Sequence, residues 1–224
     1  MHISDGILPV SITVAGFAIA AAATALTIRN VDPEEIPKIS VITSAFFVAS
    51  LVHFPVGPSS VHLILNGLAG IVLGKRAFAA ILLGIVLQAY LFGHGGLSVI
   101  GVNTVMMGTG ALCAYAIWLT RRRVKLPEHL SFGGRQFRIP SRDVLFGAIA
   151  GAVGIFVSGI ILSLALISTG EAFFTNAKLI LGIHIPLMLI EGAVSGACVG
   201  FLMRVKPSVL CDYQPGDGLV PSKH

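Results

Sequence analysis

Apolar residues arrive along this chain in long unbroken blocks rather than in the alternating or one-faced patterns of soluble domains. Seven blocks cover residues 8–28, 39–54, 60–74, 77–93, 104–119, 143–169 and 178–203. A hydrocarbon layer of about 30 Å takes about 20 helical residues to cross. Inside it every backbone polar group must be satisfied within the segment, so the blocks predict helices. The expected fold is all-α, a polytopic membrane helical bundle with about seven transmembrane helices. The third block is short, and its lead-in, His53-Phe54-Pro55-Val56-Gly57-Pro58-Ser59-Ser60, is rich in helix breakers. Irregular backbone at membrane depth is tolerated only where protein or a cavity surrounds it. Gly93-His94-Gly95-Gly96, between the fourth and fifth blocks, reads the same way.

The polar segments orient this bundle. With seven spans and the N-terminus outside, every Lys and Arg except Lys178 falls in a segment on the inner side. Such a bias is the signature of cytoplasmic loops, and a six-span count would break it. The C-terminus is then inside. The longest connection, 120–142, holds Gly133-Gly134 and Pro140 and is expected to dock or stay mobile. The expected organisation is a transmembrane domain over 1–206 and a disordered cytoplasmic tail over 207–224. A cleavable signal peptide is not expected: no basic residue precedes the first block, and Asp5 does.

Composition agrees and removes several function classes. The 224 residues are 55% hydrophobic and 11% charged, with a mean hydropathy of +0.91, whereas soluble domains carry about 25% charged residues. The net charge of +5 therefore reflects topology. Arg121-Arg122-Arg123 abuts an apolar block and lacks interleaved aromatics, so it reads as a membrane anchor and not a nucleic-acid patch. Cys113, Cys198 and Cys211 have no Cys-x-x-Cys spacing and read as packing residues. Lys75 follows Gly74 without the glycines of a phosphate loop, and no nucleophile–base spacing occurs, so neither a bound nucleotide nor an enzyme is expected. In the first block, Ala18/Ala22 and Ala21/Ala25 offer small-x-x-x-small spacing, for a partner helix or for packing within the chain.

The candidate chemistry lies in the histidines. Met1-His2 places the α-amine, the His2 amide and the His2 imidazole in series, able to close two fused chelate rings provided Met1 stays unmodified. On the predicted topology His2, His53, His62, His94 and His184 share the outer side, with His129 and His224 inside. Histidines at membrane depth are costly and usually functional. His62, placed by the block pattern at the start of the third helix with Ser59 or Ser60 as its cap, is the expected fourth ligand. The resulting N4 set suits Ni(II) or Cu(II), and Co(II) less well. The alternative for His62 is a hydrogen-bonding residue at a helix start. His53 and His94 are expected to orient ligands or line the access path. Asp5 is expected to lock the N-terminal segment. Asn66 would share a helical face with His62, and Asn103 would start the fifth span. His184 precedes Pro186 and could bond carbonyls which that proline frees. Glu191 is the one acidic residue deep in a span, a proton relay or a structural bond to another span.

Several stretches resemble one family. Met1-His2-Ile3-Ser4-Asp5-Gly6-Ile7-Leu8-Pro9 is similar to the N-terminal signature of the NikM/CbiM substrate-binding (S) components of energy-coupling-factor transporters. Gly57-Pro58-Ser59-Ser60-Val61-His62-Leu63, Leu91-Phe92-Gly93-His94-Gly95-Gly96-Leu97, Gly101-Val102-Asn103, and His184-Ile185-Pro186 with Ile190-Glu191-Gly192 resemble further signatures in order. The resemblance implies uptake of Ni(II), or Co(II) for cobalamin biosynthesis, across the bacterial cytoplasmic (inner) membrane. It implies as partners a transmembrane coupling (T) subunit, two cytoplasmic ATPases that hydrolyse ATP, and a small auxiliary membrane subunit. Carried over by motif, the metal ligands are Met1, His2 and His62. Met106 departs from a family Asn, and Val61 before His62 resembles nickel-type members. A stand-alone metal permease or channel is the alternative function.

Overall fold

A computed structural model describes residues 2–214 except 57–58, 125–128, 133–134 and 139–140. Met1, Gly57-Pro58, Gly133-Gly134, Pro140 and the chain beyond 214 lie outside the described residues. In chain order the elements are β1 (His2–Ile3), α1 (Val10–Thr27), α2 (Ile36–Ala49), β2 (His53–Val56), β3 (Ser59–His62), α3 (Asn66–Leu73) and α4 (Ala77–Phe92). They continue with α5 (Ile100–Thr120), β4 (His129–Phe132), β5 (Arg135–Arg138), α6 (Arg142–Ile167) and α7 (Phe174–Val205).

The bundle is mostly helical, and two expectations are corrected. Five helical segments are long and apolar enough to cross a membrane: Val10–Thr27, Asn66–Phe92, Ile100–Arg123, Arg142–Ile167 and Glu171–Val205. Seven full spans are not present among the described residues, because α2 has 14 residues and α3 has 8. Nor is the fold all-α. The breaker-rich stretch 53–62 forms an antiparallel hairpin that β1 joins, in the order β1-β3-β2, and β4 pairs with β5. Ser59 and Ser60 are therefore strand residues and cap no helix. The third helix begins at Asn66, after Leu65 in a left-handed conformation (φ 59°). Prolines and serines favoured the hairpin over the helix that the apolar block had suggested.

Protein encloses β3 and the helix after it, while His53, Phe54 and Pro55 of β2 are exposed. All of α3 except Leu68 is buried. A Cβ on Gly70 would stand 2.1 Å from the Ala111 carbonyl oxygen of α5, and one on Gly67 2.5 Å from the Gly151 backbone of α6. Small residues allow these approaches, which drive helix association where lipid is as apolar as the helices. The central helix is α5, touching α1, α3, α4 and α6, while α6 and α7 form a long antiparallel pair. On α1 only Gly16, Ala20 and Thr27 are buried. Ala18, Ala21, Ala22 and Ala25 are exposed, so their spacing is not used within the chain.

Ionic and polar groups tie the other end. Arg76 donates to the carbonyls of Thr27, Arg29 and Asn30 and pairs with Glu35 at 3.3 Å, closing the end of α1. Arg121 is buried, stacks over Trp118 at 3.9 Å and pairs with Asp143 at 3.4 Å. The chain after α7 docks here: Trp118 Nε1 donates to the Cys211 carbonyl, and the Cys211 amide to the Ile71 carbonyl. The first residues of the expected free tail are thus packed on the bundle.

Candidate metal centre

The hairpin and β1 bring the histidines together. β1 pairs with β3 in the register His2↔Ser60 and Ile3↔Ser59, and β2 pairs with β3 so that His53 faces His62. Neither ladder is long enough to hold alone, and side chains secure them. Ser59 Oγ donates to the His2 carbonyl at 2.7 Å. Asn103, one turn into α5, accepts from the Ile3 amide at 2.9 Å and donates to the Ile3 carbonyl at 3.2 Å. Asp5 accepts from the Leu97 and Ser98 amides and from the Ser98 hydroxyl. The loop reaches Asp5 only because Gly96 (φ 101°) has no side chain; a Cβ there would lie 1.9 Å from Asp5 Oδ2.

His2 and His62 are both buried, with ring centroids 5.0 Å apart. His62 Nδ1 lies 2.7 Å from the Leu63 carbonyl, which can only accept, so that nitrogen carries the proton. His2 Nε2 lies 2.7 Å from Gln88 Oε1, and with the Gln88 amide in this orientation it carries the His2 proton. The remaining ring nitrogens, His2 Nδ1 and His62 Nε2, face each other across 3.3 Å. Two lone pairs held at that distance repel each other and suit a cation bound between them. Burial, first, pushes both imidazoles well below their ordinary pKa of 6.5, and the positive charge of the N-terminus adds to it. Both are therefore neutral near pH 7, the form that ligates metal.

His94 and His53 flank this pair. Their rings meet edge to face at 4.1 Å, and His94 stands 6.1 Å from His2. Burial, then the neighbouring His53, lowers the His94 pKa. Among the described residues no three His, Cys, Asp or Glu side chains converge to hold a metal ion. Any site here must draw on other donors.

The remaining expected residues lie elsewhere. Asn66 does not share a helical face with His62, which sits in a strand; its amide turns to the Met107 and Gly154 carbonyls and Ser158 Oγ. His184 Nδ1 bonds the Ile180 carbonyl at 2.6 Å, not that of Gly182, the one to which Pro186 has no N–H to donate. Glu191 accepts from the Ile64 and Leu65 amides, which joins α7 to the turn after β3. Met106 is a buried apolar side chain. Gln88 is the functional candidate that sequence patterning missed. Its signal was a lone amide in the apolar run of α4.

The sequence model of a family described as cobalt uptake substrate-specific transmembrane region matches residues 2–209. A Haemophilus influenzae protein provisionally named a metal transport protein is 34% identical over 211 residues, 94% of this chain and 97% of its own. A Methanocorpusculum labreanum protein provisionally named a CbiM cobalt transport protein is 28% identical over 224 residues, 94% of this chain and 92% of its own. A crystal structure of a transition metal transporter shares the fold, with a TM-score of 0.77 at 21% identity, covering 92% of this chain and 93% of the other.

Proposed function

Because the chain belongs to the CbiM/NikM family of metal-transport membrane proteins, which are transport subunits and not enzymes, we propose that it captures Ni(II) for an ATP-driven importer. The proposed site is a planar N4 set of the Met1 amine, the His2 amide, His2 Nδ1 and His62 Nε2. The facing nitrogens of His2 and His62 carry this reading. Two nitrogens bound side by side to one ion at about 2.0 Å stand about 2.8 Å apart. The observed 3.3 Å needs only a small closure. Two of the four donors are main-chain or terminal groups, so the set needs no triad of side chains. Asp5 and Asn103 pin the strand that presents the chelate, and His53 and His94 line the access path.

A deprotonated amide favours metals that displace its proton, Ni(II) above Co(II). Co(II) is the second reading, favoured by the names of the matching family and of the archaeal relative. In either case the N-terminus faces outside the cytoplasmic membrane. The exposed alanines of α1 suit a helix of a transmembrane coupling subunit. Two cytoplasmic ATPases drive release, with a small auxiliary membrane subunit completing the importer.

The test is one extra residue before Met1. It moves the amine out of the chelate and is expected to abolish Ni(II) binding by the purified chain. Equilibrium titration of native and extended proteins checks this, and equal affinities would refute the N4 site. The same titration with Co(II) ranks the two metals.

A further inference from the structure

Gln88 is fully buried in α4, in a run otherwise almost entirely apolar. Its Oε1 meets His2 Nε2 at 2.7 Å, while its own Nε2 is buried with no hydrogen-bond partner. A half-satisfied amide inside a bundle is costly, and an aliphatic side chain would fill the space without that cost. Packing alone gives no reason for glutamine here.

Resting on the metal-capture reading above, we propose that Gln88 is a positioning residue that fixes the tautomer and orientation of His2 and so keeps the site open to metal. The terminal amine and the His2 amide can share an ion only with Nδ1, since Nε2 lies on the far side of the ring. Nδ1 must therefore be bare and Nε2 protonated. A neutral imidazole in water populates both tautomers. A carbonyl oxygen at 2.7 Å accepts only the Nε2–H form. The Leu63 carbonyl does the same for His62 by holding its Nδ1–H. If the Gln88 amide were reversed, its NH2 would donate to His2 Nε2 and send the proton to Nδ1. The contact between His2 and His62 would then be an ordinary hydrogen bond, closed to metal. The orientation of one amide separates the two states. Such acceptors behind a ligating imidazole also raise its basicity toward the ion.

The experiment uses the full chain in detergent with a native N-terminus and Ni(II) alone as the probe. Gln88→Met keeps shape and removes the acceptor; Gln88→Glu keeps an acceptor. Gln88→Met is expected to bind about 10–100-fold more weakly, the usual effect of losing such a partner. Gln88→Glu is expected to bind as tightly as the wild type or more so. Nitrogen NMR of the metal-free, histidine-labelled protein should show His2 protonated at Nε2 in the wild type and shifted toward the Nδ1–H form in Gln88→Met. Wild-type affinity in Gln88→Met would overturn the proposal. So would equal weakening in both variants with a shared fall in melting temperature, which is the mark of a packing role. The N-terminal extension separates the two ideas. If it leaves Ni(II) binding intact, the chelate itself fails and the role of Gln88 with it. If it abolishes binding while Gln88→Met does not, only the role of Gln88 is lost.

Discussion

An imidazole ligates a metal only through a nitrogen that carries no proton, and both buried rings meet that condition here. His62→Ala is expected to weaken Ni(II) binding by more than about 100-fold, beyond the usual loss of an outer partner, and titration of the purified variant measures it. A smaller loss would mean a different fourth ligand. The lowered pKa values of His2 and His62 set a pH dependence. As pH falls below about 6.5, unfolded histidines take up protons while the folded ones resist. The unfolded chain then binds more protons, so stability falls with pH in that window. Metal affinity falls in the same direction, because binding expels the amine and amide protons. Titrations between about pH 8 and about pH 5 should show the decline; a flat profile would argue against these donors. At this scale the meeting of His2 with His62 was legible, because histidines stand out in an apolar sequence. The Leu63 carbonyl was not, since main-chain acceptors leave no mark in composition.

Among the elements, the turn from β3 into α3 is where order is hardest to hold. Leu65 adopts a left-handed conformation without the freedom of glycine, and the amides just ahead of this buried helix need an acceptor. Glu191 of α7 supplies it to Ile64 and Leu65. Glu191→Ala is expected to leave both amides unsatisfied, at about 1–3 kcal/mol each. Thermal melting in detergent should fall, and Ni(II) affinity should fall with it as β3 loosens. Glu191→Gln retains one acceptor oxygen and should lie between. Gly70→Ala would press a methyl carbon onto the Ala111 carbonyl at 2.1 Å, and size-exclusion chromatography should show loss of the monodisperse bundle. The long helices were legible from their apolar blocks. The strands were not, because a short apolar run that begins with proline and serine satisfies either period until its pairing partners are known. Those partners, β1 and β2, lie outside the block that suggested a third span.

Across the whole molecule, the exposed alanine face of α1 and the buried His2–His62 pair are separate surfaces. Ala18→Leu with Ala22→Leu should leave Ni(II) binding by the isolated chain unchanged and reduce ATP-dependent uptake in cells. Lost binding would place that face in the fold instead of against a partner. The positive-inside bias gave the bundle an expected direction, which a labelling experiment on either terminus would check. The site also has a temporal consequence. His2 waits for Ser59 and for Gln88 at a separation of 86 residues, and Ile3 for Asn103 beyond it; the turn beside His62 waits for Glu191, 126 residues after Leu65. Contacts of such range form late. A ribosome will have threaded nearly the entire chain into the bilayer before the folded pocket around His2 and His62 is complete. Metal binding would then certify a finished protein.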